Sequence, residues 1–257
     1  MWMRHDLKNS AKEVLKKGYW SCFLVSLILF FVSGGSGGNG GGGSHQNNGA
    51  TSFDNWADFF LGEYFFWIAG LVLVIILLAL AFKIFLGYTI ELGCRKFYVK
   101  TLEHEFQLSH LGFGFNRDHY FPVILSFLLR DLFLFLWFLL LIIPGIIKLY
   151  AYSMVPYILA DNPQIGAKRA IELSNEMTQG EKFNIFVLQL SFLGWFILGV
   201  LALFVGVFFV FPYYDATMVQ LYKVLRGKAL AHNLTSAEEL NLPSEEEKID
   251  DNYYDEI

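Results

Sequence analysis

Apolar stretches long enough to cross a bilayer constrain this chain more than any other feature. Residues 121–145 read FPVILSFLLRDLFLFLWFLLLIIPG, and comparable runs recur at 64–86 and 183–211. A helix needs about 20 apolar residues to span the hydrocarbon core. Only helices or closed barrels satisfy every backbone polar group there. A barrel requires alternating polar and apolar residues, and these runs do not alternate. The class that follows is all-α: a polytopic membrane helix bundle of about six spans with amphipathic cytoplasmic surface helices. Composition agrees, with 55% hydrophobic residues and 17% charged, against about 25% charged in soluble domains.

Charge is divided unevenly along the chain. The net charge is −5, but residues 236–257 hold nine acids and one lysine, so the remainder is basic. Two units follow: a membrane domain over 1–235, and an acidic tail over 236–257 with the composition of a disordered cytoplasmic segment. No basic patch exceeds what membrane topology requires, so no nucleic-acid partner is expected. Cys22 and Cys94 sit in or beside apolar stretches without a C-x-x-C pattern and read as small core residues.

Residues 6–17 place Leu7, Ala11, Val14 and Leu15 on one helical face and Lys8, Lys12 and Lys16 on another. A basic amphipathic helix of this kind suits an anionic inner leaflet, with Lys8, Lys12, Lys16 and Lys17 as the contacts. The apolar run 19–32 follows directly, and the two together also have the layout of a secretory signal. Residues 33–52 form a Gly-rich linker, expected to be extracellular and flexible. No strand precedes it and no Gly-Lys-Ser/Thr closes it, which excludes a phosphate-binding loop. Aromatic and acidic residues over 53–67 suit an interfacial belt ahead of the second span, 64–86.

A polar connection is expected over 88–119. The third span, 121–143, should end at Pro144-Gly145, and the fourth covers 146–160. Asn162-Pro163 should open a surface helix with Ala167, Ala170, Ile171, Ser174 and Met177 on one face. Residues 183–222 read as two short spans, near 183–198 and 200–222, rather than one. Lysine and arginine counts then place both termini in the cytoplasm of a multi-pass cell-membrane protein. A weak echo is also present: Glu91 precedes Tyr98 by seven residues, as Asp215 precedes Tyr222. Parallel repeats would produce this pattern, and so would chance likeness between apolar sequences.

The segments LWFLLLIIPGIIKLYAYSMVPYILADNP, AIELSNEM, LSFLGW and FVFPYYDATMVQLY resemble the bacterial domain-of-unknown-function 975 family. DLKNSAKEVLKKGYW and ELGCRKFYV match the same family. The resemblance implies a multi-pass inner-membrane protein of the kind found mostly in Gram-positive bacteria. It brings no activity with it.

Chemistry is sparse. The histidines are His5, His45, His104, His110, His119 and His232, with no pair at i, i+4 on an expected helix, so no metal site is expected. No G-x-S-x-G is present and no nucleophile stands beside a base. No cofactor and no enzymatic activity are expected. The ionisable residues at membrane depth remain: Lys83, Arg130 and Asp131, with Glu91 and Asp215 at span ends. Such residues are costly in a bilayer and mark function or helix locking. Adjacent helical residues point about 100° apart, so Arg130 and Asp131 should serve different partners. Arg130 is expected to clamp Asp215, or failing that Glu91, while Asp131 turns toward the 88–119 connection. Two functions fit: a non-catalytic membrane module that organises the envelope or a partner, or a transporter or lipid-handling protein using Arg130, Asp131 and Asp215.

Overall fold

The computed structural model describes residues 2–32, 63–201 and 205–242, and within them the chain is helical without strands. The helices are α1 (Arg4–Val32), α2 (Glu63–Phe82), α3 (Tyr88–Lys100), α4 (Arg117–Leu140), α5 (Ile142–Ala151), α6 (Val155–Asp161), α7 (Ala167–Met177), α8 (Lys182–Leu201) and α9 (Val205–Ala231). Five stretches are long and apolar enough to cross a membrane: α1, the continuous 66–103 stretch, α4, the α5–α6 pair and α8. The sixth expected span falls on α9, where an apolar start, Val205–Phe211, runs into the polar Asp215 region. The described parts of residues 183–222 therefore lie on two helices, α8 and α9. The Gly linker, the 53–62 part of the aromatic belt and residues 243–257 lie outside the described residues.

Helix α1 buries the face that its periodicity marks, Leu7, Ala11, Val14 and Leu15. That face packs into the protein core against α3 and α9. Lys12, Lys16 and Lys17 stay exposed. Lys8 lies over the Phe192 ring at 4.4 Å, and Lys12 lies 5.9 Å from that of Tyr213. The helix bends at Gly18, whose φ/ψ of −147°/44° is not helical. The N-terminal amphipathic half and the apolar half thus form one element. In the second half of the chain the corresponding pieces, α7 and α8, are parted by the turn at 178–181.

The largest departure from expectation is at 88–119. The second span does not stop at residue 86. A π-helical turn, Lys83–Gly87, carries it directly into α3. Such turns leave carbonyls without their i+4 partner. Here the Phe85 carbonyl accepts from the Thr89 and Tyr120 hydroxyls at 3.1 and 2.9 Å. Helix α3 is a core element, with Leu92, Cys94, Phe97 and Tyr98 fully buried. Its cations had suggested a water-exposed loop. Instead Lys96 donates to the Ala160 carbonyl at 2.7 Å, and Lys100 binds Glu103 at 2.7 Å. From Phe66 to Phe82, by contrast, every α2 side chain is exposed, as a lipid-facing helix would be.

Two boundaries move. Helix α4 ends at Leu140, because Leu141 is extended (φ −160°, ψ 143°). Pro144 then falls in the first turn of α5, where its missing N–H costs nothing. Pro156 instead breaks the fourth apolar stretch one turn upstream, between α5 and α6, since no N–H is available there for an i−4 carbonyl. Ser174 of α7 fills that break. Its hydroxyl donates to the Ala151 carbonyl at 2.7 Å and accepts from the Met154 N–H at 3.2 Å. Ser174→Ala should cost about 2 kcal/mol, because the buried Met154 N–H loses its partner and the Ala151 carbonyl keeps only the longer bond from Thr178 Oγ1 at 3.4 Å. Thermal unfolding in detergent reads this directly, and an unchanged midpoint would show that the break satisfies itself. The α7 helix starts at Ala167 rather than Pro163, because the Asn162 carboxamide accepts from Gln164 N–H and forms a turn instead.

The tail boundary also moves. Residues 236–242 fold back, with Leu240 fully buried. Arg169 grips Glu239 with Nε–Oε1 at 2.7 Å and Nη2–Oε2 at 3.1 Å. The Asn162 carboxamide holds the Glu239 carbonyl at 2.9 Å. The Arg169 bonds keep the Glu239 carboxyl below its ordinary value of 4.5. A depressed carboxylate adds stability above its unfolded value and loses it as pH falls through the folded one. Between pH 6 and pH 3 the wild type should therefore lose about 1 kcal/mol more than Glu239→Gln, a small figure because both side chains are partly exposed. Parallel pH titrations of the two proteins' unfolding midpoints test this; identical pH slopes would remove the pair from the account.

Candidate functional site: a buried row of charges

Four helices bring the row together: α1 supplies Ser26, α3 supplies Glu91, Arg95 and Tyr98, α6 supplies Tyr157, and α9 supplies Asp215. Asp215 is 6% exposed. Its carboxylate accepts from Arg95 Nη1 at 3.2 Å and from Ser26 Oγ at 2.6 Å. Arg95 Nη1 also donates to the Tyr157 hydroxyl at 3.0 Å. The Tyr98 hydroxyl lies between Ser26 Oγ and the Cys22 carbonyl, bonding the latter at 3.0 Å. A buried charge pair is held only when further hydrogen bonds fill the remaining lone pairs and protons. Asp215 meets that condition through Ser26, whereas Arg95 Nε is buried without an acceptor among the described residues.

The row extends in both directions. Toward α4, Glu91 stands one turn before Arg95 and reaches Arg130 Nη1 at 4.0 Å. Arg130 is spent mainly on its own neighbour, with Nε and Nη2 at 2.9 and 2.8 Å from Asp131 Oδ1. Asp131 also accepts from the Tyr88 hydroxyl at 2.8 Å. The Arg130 guanidinium lies 4.7 Å over Phe127, which stacks on Tyr88 at 5.3 Å. In the other direction Tyr157 stacks on Tyr222 at 5.4 Å. Tyr222 and Arg226 both donate to Asp161, at 2.6 and 2.8 Å.

The expected clamp between Arg130 and Asp215 is therefore not made. Asp215 belongs to Arg95, and Arg130 to Asp131 with Glu91 at the edge. The expectation failed because it used the directions of the Cα–Cβ bonds, which do diverge between neighbours. An arginine side chain is long enough to turn sideways and offer two N–H groups to the next residue. Asp131 does face the 88–119 segment, through Tyr88. Lys83 is exposed beside the π turn and lies apart from the row. Reading the sequence alone missed Ser26, Arg95, Tyr157, Asp161 and Arg226. One signal was available: seven residues are two helical turns, so the Glu91–Tyr98 and Asp215–Tyr222 spacings place acid and tyrosine on one face. Both tyrosines do bind interior partners.

Cys22 and Cys94 are buried and unpaired with each other. Among the described residues no three of His, Cys, Asp and Glu gather as ligands to a metal would. What the row can do is hold five helices, α1, α3, α4, α6 and α9, in register by directional bonds.

An all-helical bundle with charges paired in its interior and apolar helices outside defines an integral membrane protein. Residues 137–229 match the model of DUF975, described as a protein of unknown function. The match supports membership of that family over this segment, which runs from LWFLLLIIPG through FVFPYYDATMVQLY; α1, α2 and α3 lie outside it. No curated protein and no solved structure matches the chain.

Proposed function

We propose that this protein is a non-catalytic module of the cell membrane that organises the envelope or a partner protein, with both ends cytoplasmic. One observation carries the reading: Asp215 is held by Arg95 and Ser26, and Arg95 in turn by Tyr157, all side chains of the protein itself on four different helices. Charges used in this way lock helices together. The exposed surfaces, including α2, then serve as the working faces toward lipid and partner.

Transport is the second reading, favoured by a different observation. Three carboxylates, Glu91, Asp131 and Asp215, share two guanidiniums, and Glu91 has the longest contact of the three at 4.0 Å. A mobile proton or cation would balance that row.

Purified protein reconstituted in liposomes separates the two. Under an imposed pH gradient and membrane potential, the module should leak no more than protein-free vesicles. A flux that disappears in Glu91→Gln would overturn the module and install transport. Topology is tested separately by cysteine labelling of intact cells. Lys168→Cys is a suitable site, since its side chain is 86% exposed. Labelling from outside the cell would contradict cytoplasmic ends.

A further inference from the structure

The groove between the start of α1 and the start of α8 holds chemistry that the charge row does not use. Its volume is about 720 Å³. Arg4, His5 and Lys8 line it from α1, and Phe183, Asn184 and Val187 from α8, with no acidic residue in the lining. The nearest acids are engaged: Asp6 lies 3.7 Å from His5, and Glu181 takes hydrogen bonds from Asn184 and Lys228. His5 thus has an acid beside it, while among the described residues Arg4 and Lys8 have no carboxylate within ion-pair distance.

The α8 side of the groove carries Phe183 and Val187, and α8 is long and apolar enough to cross a bilayer. Phe183, Phe186, Leu190 and Leu193 are exposed on it. Cations from α1 set beside an apolar wall on a membrane-length helix match an anionic lipid in charge and in shape. We propose that this groove holds an anionic phospholipid of the surrounding bilayer. Arg4 and Lys8 bind its phosphate, the Asn184 carboxamide borders its headgroup, and one acyl chain lies along Phe183 and Val187. Arginine and lysine near a membrane surface attract anionic headgroups, and a fork-shaped guanidinium suits a phosphate's two oxygens. The site is distinct from the diffuse attraction of Lys12, Lys16 and Lys17, which stand outside the groove. It exists whether or not the buried row conducts.

Native mass spectrometry of the full chain in mild detergent tests the site. The titrants are phosphatidylglycerol, phosphatidylcholine with identical chains, and inorganic phosphate. One phosphatidylglycerol per chain should be retained, with about tenfold preference over phosphatidylcholine. Arg4→Gln with Lys8→Gln should abolish the preference, and Lys12→Gln with Lys16→Gln should leave it. Val187→Trp, which fills the α8 side of the groove, should weaken retention. Lipid-free unfolding midpoints of all variants confirm that each is folded. Equal retention of the two lipids would overturn the proposal. So would equal loss in the Lys12 and Lys16 pair, or displacement of the lipid by inorganic phosphate at matched concentration.

Discussion

Asp215→Leu is expected to destabilise the protein by on the order of 3–5 kcal/mol, the cost of removing one member of a buried ion pair. The cost arises on the other side of the pair. Arg95 keeps its charge, its side chain is only 16% exposed, and it retains one neutral partner, the Tyr157 hydroxyl. Ser26 loses its acceptor and the Tyr98 hydroxyl loses part of its setting. Asp215→Asn should fall between the variant and the wild type, because the carboxamide oxygen can still accept from Ser26 while the charge is gone. Unfolding in mixed micelles followed by circular dichroism gives the ordering. If Asp215→Leu unfolds at the wild-type midpoint, the pair contributes nothing to holding the helices.

Gly93→Ala should be the other severe change, roughly 3 kcal/mol, at the upper end of what overpacking costs. A Cβ at residue 93 would stand 2.1 Å from the Leu111 carbonyl oxygen and 2.7 Å from its carbon. Both are backbone atoms, so no side chain can swing aside. Residues 108–115 lie flat on α3 at this point, and Gly114 makes the second close approach, with its Cβ position 2.3 Å from the Thr89 carbonyl oxygen. Small residues permit this contact between backbones, and such contacts drive helix association where lipid removes the hydrophobic term. Gly112→Ala is the control: nothing lies within 4 Å of its Cβ position, so its midpoint should stay within about 0.5 kcal/mol of wild type. Equal effects at residues 93 and 112 would mean that the segment does not rest on α3 as described.

Legibility in the sequence followed the range of the forces involved. The class, the apolar helices and the division between α8 and α9 could be read because they depend on local hydropathy. The buried face of α1 could be read because Leu7, Ala11, Val14 and Leu15 repeat with helical period. What covers that face could not, since lipid and protein core make the same demand on it. Helix α3 was hidden for a different reason. Arg95, Lys96 and Lys100 depress its hydropathy to that of a loop, and only the partners of Arg95 and Lys96 show that these two belong inside. Those partners, Asp215 and the Ala160 carbonyl, are 120 and 64 residues away. Sequence spacing carries neither. The Arg130 assignment failed on side-chain reach, which backbone periodicity does not encode.

The central claim is that Arg95 and Asp215 act as one lock and that Arg130 is not part of it. A double-mutant cycle measures this most directly, using Arg95→Met, Asp215→Leu and the combined variant, with Arg130→Met in place of Arg95→Met as the second cycle. Stability is read as the unfolding free energy of the full chain in one detergent mixture. The account predicts a coupling of about 2 kcal/mol or more between Arg95 and Asp215, so that the combined variant recovers much of the single-variant loss. It predicts coupling of no more than about 0.5 kcal/mol between Arg130 and Asp215. Strictly additive losses in the first cycle, or coupling as large in the second, would contradict it.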